Sequence, residues 1–175
     1  MSQETPIEAI RRLQRWLDEN KAGLDSHAIK DVIQGEPLRM SSEELYGRYP
    51  TWPRSYLDFV SEHGATQFLN PDFADPGDQF SLLTPVQSKP FQFELEETED
   101  LDGRDAEHLL VFATSKHNPL EAYVFNTART NDVGEMAIES WTHGEYVPSS
   151  GAIVSFGQWV STQVDYIISQ KGEFC

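Results

Sequence analysis

Residues Glu94 to Glu107 hold eight carboxylates, Glu94, Glu96, Glu97, Glu99, Asp100, Asp102, Asp105 and Glu107, against a single base, Arg104. Three kinds of chemistry use such a run. Asp100-x-Asp102-Gly103 echoes the middle of a calcium-binding loop. With Gly103 at the sixth loop position, however, Thr98 stands first and Leu109 twelfth, so both end ligands fail. Paired acids acting as general acid and base need burial or geometry to set their pKa values apart, and a solvated run supplies neither. Two readings remain: an exposed, mobile acidic loop between strands, or an electronegative docking face where Coulomb steering speeds association with a basic partner.

Other reactive groups are scattered. His27, His63, His108, His117 and His143 show no His-x-x-x-His or Cys-x-x-Cys spacing, so no metal site is expected. Cys175 is the single cysteine and has no framework for a Cys/His pair, and no disulfide is expected within the chain. No Ser has Gly at both the −2 and +2 positions of a nucleophile elbow, and there is no Gly-rich phosphate loop. The sequence therefore predicts neither a catalytic residue nor a cofactor. An enzyme would have to assemble its site from dispersed residues such as His63, His143 and the plentiful Asp and Glu.

Charge narrows the partners. The chain of 175 residues carries a formal net charge of −16. Up to residue 50 there are seven Lys/Arg against nine Asp/Glu; beyond it there are six against twenty. Nucleic acid and anionic membranes would be repelled over most of such a surface, and a basic protein attracted. An acidic surface also serves solubility alone. The longest purely apolar run, Leu109 to Ala113, is far too short to span a bilayer. With no apolar leader near Glu4 and Glu8, a cytoplasmic address is expected.

The elements that must position these groups read as follows. Thr5-Pro6-x-Glu8 is a capping box opening a helix striped by Ile7, Ile10, Leu13 and Leu17. A second helix is expected from about Asp25 or Ser26, through Ile29, Val32 and Ile33, to Gly35. Ser41-x-x-Glu44 caps a short helix bearing Leu45. Pro53, placed at the first turn, opens a helix carrying Tyr56, Leu57, Phe59 and Val60, which Gly64 ends. Strands are expected at Phe80–Leu83, at the alternating Phe91-x-Phe93-x-Leu95, at Leu109–Ala113 and at Ala122–Phe125. A further strand, Met136 to Trp141, is expected to show a polar face carrying Glu139 and Trp141. Ser155-x-x-Gln158 caps a last helix with Trp159, Val160, Val164, Ile167 and Ile168 on one stripe.

Three of these segments carry a family resemblance. Trp52-Pro53-x-Ser55-Tyr56-x-x-Phe59, closing on His63-Gly64, resembles the Leu-Pro-x-x-Tyr-x-x-Phe … Asn-Gly signature of the SUKH superfamily, with Trp52 in place of Leu and His63 in place of Asn. The Leu109–Thr127 hairpin, ending Tyr123-Val124-Phe125-Asn126, resembles the family's central strand pair, with Asn126 where Asp is usual. Phe156-x-x-Trp159-Val160 resembles its closing Phe-x-x-Trp-Leu helix. The family takes in fungal cell-wall regulators of the Smi/Knr type and bacterial immunity proteins that neutralise polymorphic toxins.

The expected fold is therefore α+β in a single domain, 1–175. It has N-terminal helices, a central mostly antiparallel or mixed sheet of about five or six strands, and a closing C-terminal helix; the mixed strand order is implied by the resemblance alone. Residues 41–172 form the best-matching core and 1–40 a helical extension. Trp52, Pro53, Tyr56, Phe59, Gly64, Phe156 and Trp159 are expected to be structural. The resemblance implies a non-enzymatic, cytoplasmic immunity protein that blocks the active site of a cognate toxin, a nuclease among the candidates, and the charge of the chain implies that this toxin is basic. The alternative is a regulatory or scaffold module, with a hydrolase-type enzyme behind both. Candidate contact residues are Glu96, Glu97, Glu99, Asp100, Asp102 and Asp105, and on the sheet Glu139 and Trp141.

Overall fold

A computed structural model describes residues 3–24, 28–70, 80–97, 101, 103–115, 121–142, 145–149 and 151–169. The chain is α+β. Its strands form one antiparallel sheet in which neighbours in sequence are neighbours in space: β1 (Asp31–Gln34), β2 (Thr66–Leu69), β3 (Phe80–Leu82), β4 (Leu109–Ser115), β5 (Glu121–Thr130), β6 (Met136–Thr142) and β7 (Glu145–Val147). The helices are α1 (Pro6–Asn20), α2 (Ser42–Arg48), α3 (Arg54–His63), α4 (Lys89–Glu96) and α5 (Phe156–Ser169).

Among the described residues seven strands replace the expected five or six: two segments exchange type, which leaves the count unchanged, and two short strands are added, β2 between β1 and β3 and β7 at the edge. Of the helix expected from Asp25 or Ser26 to Gly35, residues 25–27 lie outside the described residues, Ile29 is in irregular backbone, and Val32 and Ile33 are in β1, whose Val32 faces Phe68 of β2. Its β-branched residues suit a pleated surface, and the Gly35 N–H bonds the Ala65 carbonyl at 2.6 Å. The strand expected over Phe91 to Leu95 is α4.

Caps read in the sequence hold. The Thr5 N–H donates to Glu8 Oε2 at 2.8 Å while the Glu8 N–H donates to Thr5 Oγ1 at 3.4 Å. Ser41 and Ser155 accept the backbone N–H groups of Glu44 and Gln158 at 3.2 and 3.1 Å. Pro53 shifts by one position, serving as the cap that precedes α3. Gly64 is required, since its φ is +65° and a Cβ there would lie 2.3 Å from the Glu36 carbonyl oxygen.

The main core lies between the sheet and α1, α3 and α5. Tyr56, Phe112, Phe125, Phe156 and Trp159 converge there: Phe112 stacks on Phe125 at 4.0 Å and meets Trp159 edge-on at 5.0 Å. Trp52 stacks on Tyr56 at 5.1 Å. The buried Tyr56 hydroxyl donates to the Leu83 carbonyl, and burial pushes its pKa well above the ordinary tyrosine value. A register shift between Val111 and Ala113 lets the successive residues Phe112 and Ala113 both enter this core. Residues 1–40 contribute Ala9, Ile10, Leu13, Leu17 and Val32 to the same core. Arg12 further ties the N-terminal segment to α5 by bonding both Glu4 and Asp165.

A second, smaller core lies on the opposite side of the sheet. Leu83, Leu95, Leu101, Leu109, Val111, Ala122, Val124, Trp141 and Tyr146 form it, with Phe91 and Ala106 packed against it. This face positions the candidate site.

Candidate protein-docking face

The acidic segment is seated on the sheet. Thr84 and Gln87 cap each other reciprocally: the Thr84 N–H donates to Gln87 Oε1 at 3.0 Å and the Gln87 N–H to Thr84 Oγ1 at 3.4 Å. The Ser88 N–H bonds the Thr84 carbonyl and the Gln92 N–H the Ser88 carbonyl, so a turn over 85–88 leads directly into α4. A helical period separates residues that a strand would align. Phe91 and Leu95 turn inward onto the second core, whereas Phe93, two residues from each, is 64 % exposed. Gln92 then clamps the helix to the strand behind it, donating to the Ala106 carbonyl and accepting from the Val111 N–H, each at 3.3 Å.

Of the expected contact residues, Glu96 and Glu97 are exposed at the end of α4, and Asp105 is exposed ahead of a 3-10 turn over Ala106–His108. Glu94 and Glu107 are exposed as well. Glu99, Asp100 and Asp102 lie outside the described residues. The described part of the run is thus the end of α4, irregular backbone at 103–105 and a 3-10 turn, with Glu94, Glu96, Glu97, Asp105 and Glu107 exposed.

Glu139 and Trp141 are a correction. They were expected on an exposed polar strand face, yet they are 3 % and 6 % exposed, because Trp141 packs into the second core with Leu95 and Leu101 and the Glu139 carboxylate is enclosed by its polar partners. The Glu139 carboxylate accepts from Asn126 Nδ2 at 3.0 Å, from Arg129 Nη1 at 3.2 Å and from the Tyr146 hydroxyl, and Arg104 Nε lies 3.5 Å away. Arg104 also sits over the Tyr146 ring, 4.6 Å from its centroid. Burial first, then the bond to Glu139, pushes the Tyr146 phenol far above its usual pKa. Arg129 continues to the Ser149 hydroxyl at 3.0 Å and the Gly151 carbonyl at 3.2 Å. A carboxylate held by two guanidiniums, an amide and a phenol is suited to holding structure together and poorly placed to take a proton from a substrate. Here it fixes Arg104, the one base of the acidic segment, to β5, β6 and β7.

Sequence reasoning missed this cluster and the outward-facing Phe93. One signal was available: Glu139 stands between Ala137 and Trp141 on alternate positions of a strand, and a carboxylate on such an apolar stripe requires buried partners.

His63 ends α3 with its ring 5.3 Å from Phe59 and its Nε2 3.6 Å from Glu62, and burial holds its pKa below the ordinary histidine value. Asp105, Glu107 and His108 bring one potential ligand atom each within 4.8 Å of one another, all on exposed side chains. His27, His117, His143 and Cys175 lie outside the described residues. No helix among the described residues is long and apolar enough to cross a membrane. No known family model matches the chain, and no curated protein matches it.

Proposed function

We propose that this chain is a non-enzymatic protein-binding module, and specifically a cytoplasmic immunity protein of the SUKH type that neutralises a cognate toxin by covering its active site. The observation that carries the reading is the outward presentation of Glu96, Glu97, Asp105 and Glu107 on a segment clamped to the sheet, in a chain of net charge −16. Carboxylates on a fixed support offer a preformed negative field, and such a field competes with phosphate for a basic cleft. The family resemblance of the α3, β4–β5 and α5 segments supports the assignment. A toxin domain encoded beside this chain is the expected partner.

The test is protection. Cells expressing that toxin domain should survive when the chain is co-expressed, and the Glu96→Lys, Glu97→Lys, Asp100→Lys, Asp102→Lys variant should protect less while melting at a similar temperature. An unprotective wild-type chain would remove the immunity reading.

A further inference from the structure

The outer side of α4 carries more than charge. Val86 and Phe93 are 56 % and 64 % exposed, and Pro90 between them is exposed too. Val86 lies in the turn that leads into α4, and within the helix a spacing of three residues sets Pro90 and Phe93 on one side, so the three form an exposed apolar stripe along its outer edge. Glu96 and Glu97 stand exposed at one end of that stripe, with Asp105 and Glu107 exposed on the following segment. Single exposed apolar side chains are ordinary on protein surfaces. An apolar centre bordered by charge on a rigid helix is the composition of an interface.

We propose that this stripe anchors a docking site for a cationic amphipathic segment of a partner protein, with Phe93 seated in an apolar hollow of the partner and Glu96 and Glu97 paired to the Lys or Arg around it. Charge complementarity selects the occupant. A second copy of the chain would set −16 against −16, and nucleic acid or an anionic bilayer would meet the same repulsion. The site rests on the reading of the chain as a protein-binding module and adds what charge does not supply. Steering sets how fast partners meet, whereas a desolvated aromatic anchor sets how long they stay. The Gln92 clamp holds the anchor in place before the partner arrives, which lowers the ordering cost of binding.

The first probe is a synthetic amphipathic helical peptide of Lys and Leu, titrated at low salt into 15N-labelled full-length chain. Shift changes should centre on residues 86–97, and Phe93→Ser should weaken the Kd about tenfold, on the order of 1.4 kcal/mol, with an unchanged melting temperature. Changes spread evenly over the acidic surface, with Phe93→Ser binding as wild type does, would overturn the site. The second probe is the toxin domain encoded beside the chain. Its complex with Phe93→Ser should dissociate about tenfold faster than with wild type. Equal binding of the toxin domain to both chains would remove the anchor and leave the immunity reading standing. Peptide docking on α4 with no toxin binding to wild type would remove the immunity reading and leave the site.

Discussion

On the side of the sheet covered by α1, α3 and α5, the packing is made of rings and aliphatic side chains, with Tyr56, Phe112, Phe125 and Phe156 in mutual contact and Trp159 against Phe112 and Phe156. On the other side, a smaller apolar patch is completed by Glu139, Asn126, Tyr146, Arg104 and Arg129. The first side owes its stability to area removed from water, and any large ring there matters. The second depends on one carboxylate being fully partnered, because a buried polar network fails when a single member is lost. The difference suggests a division of labour: one face holds the fold, and the other holds the acidic segment in position.

The largest effect should come from the ring-packed side. Phe59 is buried against Phe156, 5.7 Å between centroids, and against His63. Phe59→Ala should cost about 3–5 kcal/mol in denaturant unfolding, and unchanged stability would break the account of α3.

Removing Glu139 tests the polar side at comparable scale. Glu139→Ala leaves Arg129 and Tyr146 without their buried acceptor and should cost about 3–5 kcal/mol, the range for breaking one partner of a buried pair. The comparison sharpens in hydrogen exchange. Glu139→Ala should lower protection in α4 and residues 103–111 before it does so in α3 and α5, whereas Phe59→Ala should loosen the whole sheet. Uniform loss in both variants would erase the distinction between the faces.

Gln92→Ala should act on a smaller scale. It leaves the Val111 N–H without its side-chain acceptor, at a cost of about 1–3 kcal/mol, and should raise exchange at α4 and at Val111 while the rest of the sheet is unchanged.

The pH dependence should be smallest, and it belongs to the ring-packed side. Burial depresses the His63 pKa, so the folded chain binds a proton less readily than the unfolded one. The contribution is intact above the unfolded value of about 6.5 and is lost as pH falls through that value towards the folded one. His63→Asn should flatten stability between about pH 7 and pH 5. Glu4, held low chiefly by its bond to Arg12, acts in a more acidic window. Its stabilisation is present above an unfolded value of about 4.3 and fades as pH drops towards the folded one, and Arg12→Ala should remove it.

The ring-packed side was also the legible one. Leu109 to Ala113 is apolar at every position and became the fourth strand of seven, buried on both faces. The α5 stripe through Trp159, Val160 and Val164 was visible because a long helix repeats its period several times. Windows of four or five residues do not repeat a period often enough to declare it. Ile29, Val32 and Ile33 fit a helix, and Phe91, Phe93 and Leu95 fit a strand, yet each segment took the other form. Thr84-Pro85-x-Gln87 is spelled as Thr5-Pro6-x-Glu8 is; the one caps the turn that leads into α4, the other caps α1. Reading the second as the first was read would have turned Phe93 outward in advance. Glu139 was misplaced for another reason: alternation tells which residues share a face, and only tertiary packing tells which face is covered.

Recognition of a basic protein by the acidic side of this molecule, as proposed, requires association steered by charge. It is tested by the association rate of the purified chain with the proposed toxin partner, followed in stopped flow as salt rises from about 0.02 to 0.5 M. At the lower salt the screening length is about 20 Å, and near 0.1 M it shrinks to about 10 Å. Wild type should associate at a rate that falls at least tenfold across this range, and Glu96→Lys, Glu97→Lys should associate more slowly and with a shallower salt slope. Equal rates and equal salt slopes for the two chains would contradict that recognition.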